Sequence, residues 1–279
     1  MQIIPTNAAL GAEIRGVDLS KPLDAESFAA IDAAFNEHGV VFFRDQHLTP
    51  AQQMAFSRMF GEIERNMFSE SWSVPGEPDM VVVSNITKDG KLIGAKRAGE
   101  AWHSDMCYTP RPPRGSMLCA QEVPELFGMT LGDTCFASAA AAYDALEEAT
   151  KQQIADLKVI FSFRGRKRSY PVSEEQMNRY PDVQHPLVRT HPVTGRKCLY
   201  VMRDDSTGIA GMPQDEAEAL IAALADYIVR PEFVYRHRWR KGDVLMWDNC
   251  TVQHKAIQDY DLPQRRLMHR TTMGGSVPF

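Results

Sequence analysis

The last third of the chain carries the strongest fold signal, in a segment that reads FVYRHRW at residues 233–239. Large and polar side chains alternate along it, and a period of two predicts a β-strand with one buried face. Three more short strands are predicted at 243–247, 252–256 and 266–272. Many short strands separated by turns, with few helices among them, favour a β-sandwich or jelly roll over a parallel sheet.

Helices are predicted to flank these strands. Residues 25–38 repeat apolar side chains at helical spacing, and Gly39 follows them as a stop signal. Residues 50–60 follow Thr49, a good N-cap, and begin with a proline, which the first helical position tolerates. Further elements are predicted as strands at 40–44 and 80–84 and as helices at 138–157 and 213–228.

The chain length of 279 residues fits one large domain, and we expect residues 1–279 to form it. Hydrophobic residues make up 44% of the chain and charged residues 24%, which suits a protein with a sizeable core. The polar and aromatic stretch 163–186 has no regular period. Loops of this length are usually functional or disordered, so this stretch is a candidate active-site lid.

The composition argues against several classes of partner. The net charge is −5 and the pI about 5.9, so the chain lacks the basic excess that would attract nucleic acid. The five cysteines are scattered without a C-x-x-C pair, which is typical of a reduced compartment. No apolar run is long enough to span a membrane, and the N-terminus lacks the character of a signal peptide. We therefore expect a cytoplasmic protein that binds neither nucleic acid nor membrane.

A candidate metal site begins with His103 and Asp105, in the segment AWHSD at 101–105. On a strand, residues two apart point to the same face, so the imidazole and the carboxylate would converge. A third ligand would complete a facial triad with open positions, which suits iron(II) oxygenases. Opposing jelly-roll strands could bring in His254. Taken alone, the tripeptide is common, and structural roles explain each histidine at least as well.

Two arginines near the C-terminus strengthen the hypothesis. In QRRLMHRTT at 264–272, strand alternation would point Arg266 and Arg270 inward together. Buried arginine is rare unless it meets an anion, and guanidinium binds carboxylate, sulfonate or phosphate through paired hydrogen bonds. Two inward arginines near a metal therefore imply two anionic groups to bind.

Short motifs along nearly the whole chain carry a family resemblance. The sequence resembles the TauD/TfdA family of iron(II)/2-oxoglutarate dioxygenases, which includes taurine and aryloxyalkanoate dioxygenases. The matching segments, in family order, are GAEIRGVDLSKPL, VVFFRDQ, LTPAQQMAFSRMFG, WHSD, PPRGSML, GDT, HPLVRTHPVTGRK, GDVLMWDN and QRRLMHRTT.

The resemblance implies a double-stranded β-helix core, a cupin-like jelly roll, with iron(II), 2-oxoglutarate and O2 as cofactor and co-substrates. It implies that the metal ligands and catalytic residues are His103, Asp105 and His254. The distal carboxylate of 2-oxoglutarate would be held by Arg266 and the hydroxyl of Thr134, while Arg270 would face the anionic group of the primary substrate. Family members are commonly dimers or tetramers, so a homo-oligomer is expected.

The expected primary substrate is a small organic anion. Taurine enzymes carry a histidine and an asparagine where this chain has Asn66 and Gly99, which argues against taurine. The stretch VSNITKDGK at 83–91 looks like the aryloxyalkanoate side of the family, which favours an aryloxyalkanoate or a related carboxylate. Substrate contacts are predicted at Arg270, Asn66, Asn85 and Tyr108.

Two alternatives stay open at the level of sequence. Arg270 would bind a tetrahedral anion almost as well as a carboxylate, so the substrate class could be a sulfonate, alkylsulfate or phosphonate. A triad of two histidines and a carboxylate also accommodates zinc. A zinc-dependent hydrolase or a non-redox cupin-like binding protein is therefore the alternative from another class.

Overall fold

Short β-strands make up most of the fold, and the computed structural model describes residues 1–65, 67–165 and 173–279. The helices are α1 (Ala25–His38), α2 (Pro50–Arg58), α3 (Ala139–Asp144), α4 (Glu148–Ile154), α5 (Glu174–Asn178) and α6 (Gln214–Ile228), with short 3-10 helices at Met67–Glu70 and Pro231–Phe233. The strands within these ranges are β1 (Gln2–Pro5), β2 (Ala12–Arg15), β3 (Val40–Phe43), β4 (Ser73–Val74), β5 (Glu77–Ser84), β6 (Thr87–Lys88), β7 (Lys91–Leu92), β8 (Gly115–Glu122), β9 (Glu125–Leu126), β10 (Met129–Thr130), β11 (Thr134–Ser138), β12 (Lys158–Phe161), β13 (Val183–Pro186), β14 (Val188–Thr190), β15 (Lys197–Leu199), β16 (Ser206–Ile209), β17 (Val234–His237), β18 (Val244–Asp248), β19 (Val252–Ala256) and β20 (Leu267–Met273). None of the described helices has the length and apolar character needed to cross a membrane.

Two sheets that share one buried cluster form the centre of the molecule. The larger sheet has the strand order β1-β2-β3-β18-β8-β20-β5-β4, and a smaller sheet has the order β17-β11-β19. Leu118 and Trp247 of the larger sheet pack in this cluster with Phe136 of the smaller one. The arrangement confirms the predicted mainly β class with flanking helices, a double-stranded β-helix of the jelly-roll type.

Strand β18 shows how the sequence positions the inner face of the larger sheet. Val244 and Met246 pack in the cluster that includes α1 and α2, whereas Leu245 and Trp247 pack in the cluster between the two sheets. Because both faces are covered, the strand reads as an unbroken apolar run. Burial of each large apolar side chain stabilises the fold by ~1.5–3 kcal/mol. The inner faces of β18, β8 and β20 line the candidate site.

The ends of α1 and α2 follow local capping signals. Asp24 accepts a hydrogen bond from the Ser27 N–H at the start of α1, and Gly39 ends this helix with a φ of 66°. Thr49 forms the predicted N-cap of α2, within a capping box. This helix ends at Arg58 and not at the predicted residue 60, because the next two N–H groups bond to carbonyls three residues back.

Two predicted elements differ from the structure. The helix predicted at 138–157 is divided into α3 and α4, because Glu147 is extended, with φ −64° and ψ 144°, and starts the second helix. The strand predicted at 233–239 is shortened to β17, because a 3-10 turn precedes it. The other predicted strands and the helix at 213–228 are confirmed to within a few residues.

The lid predicted at 163–186 is only partly described, since residues 166–172 lie outside the described ranges. Phe163 is fully buried. At the other end of the stretch, β13 pairs with β12. The two ends of the predicted loop therefore belong to the packed structure, and a lid role stays a prediction for the residues between them.

Candidate active site

A backbone pairing brings His103 and His254 together. The His254 N–H donates to the His103 carbonyl at 2.8 Å, and the His103 N–H donates to the His254 carbonyl at 3.1 Å. The two residues thus form an antiparallel bridge beside β11. Their ring centroids are 4.1 Å apart. The predicted convergence of these distant histidines is confirmed.

Asp105 completes a cluster of three candidate ligands. Its Oδ1 lies 3.7 Å from Nε2 of His103 and 3.7 Å from Nε2 of His254. The candidate ligand atoms of the three residues all lie within 4.8 Å of one another. Nδ1 of His103 is 2.8 Å from the Ala101 carbonyl, which can only accept, so Nδ1 carries the proton. The lone pair of Nε2 is therefore available to a metal.

The backbone that aims Asp105 differs from the prediction. Beyond His103 the chain turns and does not continue as a strand, and Met106 has a φ of 46°. The Asn249 carbonyl accepts from the Ser104 hydroxyl at 2.8 Å, and the Asn249 Oδ1 accepts from the Asp105 N–H at 3.3 Å. A turn anchored on Asn249, and not strand alternation, therefore points the carboxylate toward the imidazoles.

The second carboxylate oxygen of Asp105, Oδ2, is held by residues other than the two histidines. Its Oδ2 accepts from the Ser116 hydroxyl at 2.8 Å and pairs with Nη2 of Arg270 at 2.7 Å. Burial alone would raise the pKa of Asp105, but the charge of Arg270, together with His254, His103 and the Ser116 hydrogen bond, lowers it well below its usual range. Asp105 is therefore an ionised carboxylate whose Oδ1 is directed to the histidines.

Arg266 supplies a buried cation on the same side of the larger sheet. It is 3% exposed, and its Nε has no hydrogen-bond partner among the described residues. Burial lowers the pKa of Arg266. Its backbone is fixed, because its N–H donates to Asn85 Oδ1 at 2.9 Å and its carbonyl accepts from the Ser84 hydroxyl at 2.7 Å. A buried cation without a counter-charge is costly, so this position suits an anionic ligand.

One cavity joins these groups. It is lined by His103, His254, Thr134, Arg266 and Arg270, with small and apolar side chains between them. Arg270 lies on β20 and Arg266 immediately before it, and both side chains reach the same cavity, as the predicted alternation requires. The inward orientation of both arginines is thereby confirmed.

The other predicted substrate residues differ in their surroundings. Both polar atoms of the Asn85 side chain bond to backbone, with Nδ2 on the Gln264 carbonyl at 2.8 Å. Tyr108 is buried and packs against Phe163, with ring centroids 4.6 Å apart. Asn66 lies outside the described residues. Substrate contact by these three residues stays a prediction.

Besides Asn249, two residues of the site were missed in the sequence. Ser116 lies on β8 and bonds to Asp105, and Trp239 follows β17 and donates its Nε1–H to the Thr134 hydroxyl at 3.0 Å. Ser116 stands within the motif PPRGSML, and Trp239 ends the segment FVYRHRW. Both roles depend on which strand lies opposite, and a single sequence does not specify strand register.

The donor set fits iron(II) and an anionic co-substrate. Two imidazole nitrogens and one carboxylate oxygen form the set that facial-triad oxygenases use, and they leave coordination positions open. Arg266, whose guanidinium has no acidic partner among the described residues, lines the same cavity. The arrangement thus combines a candidate metal-binding set with a buried cation in one cavity.

The chain belongs to the family described as taurine catabolism dioxygenase TauD, TfdA family, whose model matches residues 2–272. It is therefore an alpha-ketoglutarate-dependent dioxygenase, that is, an oxidoreductase that uses 2-oxoglutarate and O2. This membership confirms the resemblance found in the motifs. It also argues against a zinc-dependent hydrolase and a non-redox binding protein.

Similar proteins cover the chain almost completely. An (S)-phenoxypropionate/alpha-ketoglutarate-dioxygenase of Delftia acidovorans is 34% identical, over 99% of this chain and 95% of that protein. An alpha-ketoglutarate-dependent sulfate ester dioxygenase of Pseudomonas putida is 32% identical, over 100% of this chain and 91% of that protein. The crystal structure of AAD-2 in complex with Mn(II) and N-oxalylglycine matches this fold with a TM-score of 0.84 at 34% identity. The match covers 99% of this chain and 98% of that chain.

Proposed function

We propose that this dioxygenase binds iron(II) through His103, Asp105 and His254 and hydroxylates a small organic anion. The observation that carries the proposal is the convergence of Oδ1 of Asp105 and two histidine Nε2 atoms beside the buried Arg266 and the mostly buried Arg270. When bound, iron(II), 2-oxoglutarate and O2 supply the oxidation of a C–H bond, with release of succinate and CO2. The protein's own residues bind, orient and enclose the reactants.

We assign Arg266 and Thr134 to the distal carboxylate of 2-oxoglutarate. A guanidinium and a hydroxyl can donate to the two oxygens of one carboxylate, and charge-assisted hydrogen bonds are about twice as strong as neutral ones. Both residues are buried and line the cavity that His103 and His254 also line. Binding of the carboxylate would neutralise a cation that the fold holds away from water.

Arg270 is the candidate for the anionic group of the primary substrate. Its Nη2 is engaged with Asp105, and its Nε has no hydrogen-bond partner among the described residues. The Trp247 ring lies 5.6 Å from the guanidinium carbon and gives that side of the cavity an aromatic wall. A carboxylate attached to an aryl group matches this pairing of cation and aromatic surface. We therefore propose an aryloxyalkanoate or related carboxylate, with Tyr108, Asn66 and Asn85 as further candidate contacts.

A sulfate ester or another tetrahedral anion is the second candidate. A guanidinium binds sulfate and carboxylate in similar ways. The relative from Pseudomonas putida, named for sulfate esters, is nearly as similar to this chain as the phenoxypropionate enzyme. A panel that contrasts aryloxyalkanoates with alkyl sulfates and sulfonates of similar length would separate the two classes.

The test of the proposal is substrate-dependent formation of succinate from 2-oxoglutarate in the presence of iron(II) and ascorbate. We expect His103→Ala to abolish this activity, because one of the three ligands is lost. His47→Ala is the matched control, since His47 is exposed. The proposal fails if no substrate on the panel raises succinate release, or if His103→Ala matches the wild type.

A further inference from the structure

Trp239 contacts both residues assigned to the 2-oxoglutarate carboxylate. It is fully buried just after β17. Its indole Nε1–H donates to the Thr134 hydroxyl oxygen at 3.0 Å. Its ring lies 6.0 Å from the guanidinium carbon of Arg266. One side chain therefore touches both donors of the proposed carboxylate clamp, which consists of Thr134 and Arg266.

The hydrogen bond to Trp239 determines what the Thr134 hydroxyl can do. An indole N–H only donates, so the Thr134 oxygen must be the acceptor in this pair. A hydroxyl carries one proton, which is then left to donate to another group. No other hydrogen bond of this hydroxyl is present within the described residues. The proton is thus available to a carboxylate in the cavity that Thr134 lines.

The Arg266 side chain is supported in a comparable way. Its guanidinium carbon lies near two aromatic rings, 6.0 Å from the Trp239 centroid and 5.9 Å from the Tyr260 centroid. Cation–π contacts of this kind hold a guanidinium without using its N–H donors. Nε has no hydrogen-bond partner among the described residues and stays available to donate to an anion.

We propose that Trp239 is a positioning residue for the co-substrate: its N–H orients the Thr134 hydroxyl as a donor, and its ring supports Arg266. The inference rests on the proposed function, because it takes the clamp to be occupied by the distal carboxylate of 2-oxoglutarate. It adds a residue that acts through Thr134 and Arg266.

The central experiment is an anaerobic titration of the iron(II)-loaded protein with 2-oxoglutarate, followed by the weak visible charge-transfer band. Trp239→Phe keeps a ring and removes the N–H. We expect the dissociation constant of 2-oxoglutarate to rise about five- to tenfold, the loss typical of one hydrogen bond. Thr134→Val should give a similar rise, and the double variant should bind no more weakly than Thr134→Val alone. Additive losses, or unchanged binding by Trp239→Phe, would overturn the proposal.

A second ligand separates positioning from a general packing defect. 2-Oxobutanoate has the same keto acid end as 2-oxoglutarate but no distal carboxylate. We expect Trp239→Phe to leave its dissociation constant unchanged, whereas a distorted site would weaken both ligands equally. Equal weakening is the result that contradicts the inference. Absence of the band in the wild-type protein would instead count against the proposed function, so the two failures are distinguishable.

If Trp239→Phe does not fold, the positioning role of Trp239 can be tested with the native tryptophan in place. In the zinc-loaded, 15N-tryptophan-labelled protein, Thr134→Val should shift one indole N–H resonance, which identifies Trp239. Addition of 2-oxoglutarate should shift the same resonance, and 2-oxobutanoate should not. A 2-oxoglutarate response confined to other resonances would refute the inference.

Discussion

Ser116 shows how a small polar residue organises the proposed metal site. Its hydroxyl donates to Oδ2 of Asp105 at 2.8 Å and lies 3.0 Å from Nη2 of Arg270, which pairs with the same Oδ2. These two partners fix the carboxylate so that only Oδ1 is directed to His103 and His254. The proposed metal ligand and the candidate substrate cation are thereby joined in one hydrogen-bonded network.

Ser116→Ala should weaken metal binding without unfolding the protein. Removal of the hydroxyl leaves Asp105 with one partner fewer and a less restricted carboxylate, and loss of such a contact typically costs about 10–100-fold in metal affinity. The measurement is titration of the metal-free protein with Mn(II), followed by electron paramagnetic resonance. Ser57→Ala is the matched control, because Ser57 is equally buried and its hydroxyl bonds to Thr271. Equal Mn(II) affinity in the two variants would rule out the role given to Ser116.

At the scale of elements, the junction between α1 and β3 depends on one glycine. Gly39 has a φ of 66°, and a Cβ at this position would lie 2.9 Å from the Thr251 hydroxyl oxygen and 3.2 Å from a Val252 methyl carbon. The backbone conformation and the close approach of the loop before β19 both exclude a side chain. Because β19 carries His254, this junction also affects the position of a proposed metal ligand.

Gly39→Ala is expected to lower stability more than the same change at Gly76. Gly76 also has a positive φ, 86°, but nothing lies within 4 Å of a Cβ there. Left-handed backbone costs an alanine ~1–2 kcal/mol, which applies to both variants. Only Gly39→Ala adds a steric overlap, for a further ~1–3 kcal/mol. Thermal unfolding measures the difference, and equal midpoints for the two variants would contradict the packing described for this junction.

Individual strands could be predicted from the local pattern of side chains along the sequence. The pairing of these strands within the sheets could not. The alternation in FVYRHRW and the unbroken apolar run of β18 predict strands whatever their neighbours are. Which strands lie side by side depends on long-range packing, as with Ser116 on β8 opposite Thr272 on β20. For the same reason the division of 138–157 into α3 and α4 did not show in the sequence, because the break at Glu147 lacks a glycine or proline.

Over the whole molecule, the candidate ligands and arginines of the site were more predictable than the residues that position them. Arg266 and Arg270 stood out because buried arginine is rare without an anion, and the family motifs then pointed to His103 and His254. The prediction that a strand aims Asp105 was wrong, since the turn held by Asn249 does so. Assembly into a dimer or tetramer and a cytoplasmic location stay predictions of the sequence.

The folded molecule should lose stability as the pH falls, in part through His237. Burial lowers the pKa of His237 below 6.5, although its hydrogen bond to Asp243 opposes this effect. In the unfolded chain the imidazole takes up a proton below pH ~6.5, whereas the folded state resists it. The unfolded state then binds more protons, so the free energy of unfolding falls from pH ~6.5 downward.

Denaturant titrations of the metal-free protein at pH 7.5 and 5.5 measure this loss. His237→Gln removes the titrating group and keeps a polar side chain near Asp243 and Tyr235, which contact the imidazole in the wild type. We expect a smaller difference between the two pH values in the variant. An unchanged difference would mean that His237 does not contribute to the acid sensitivity.

The assignment of iron(II) and 2-oxoglutarate to this site is tested most directly by the anaerobic visible spectrum of the protein with both ligands. The assignment predicts a charge-transfer band in the wild type that needs iron(II) and 2-oxoglutarate together. His103→Ala and Asp105→Asn should lose it, because each lacks a ligand, while His47→Ala should retain it. Absence of the band in the wild type, or its persistence in His103→Ala, would contradict the assignment.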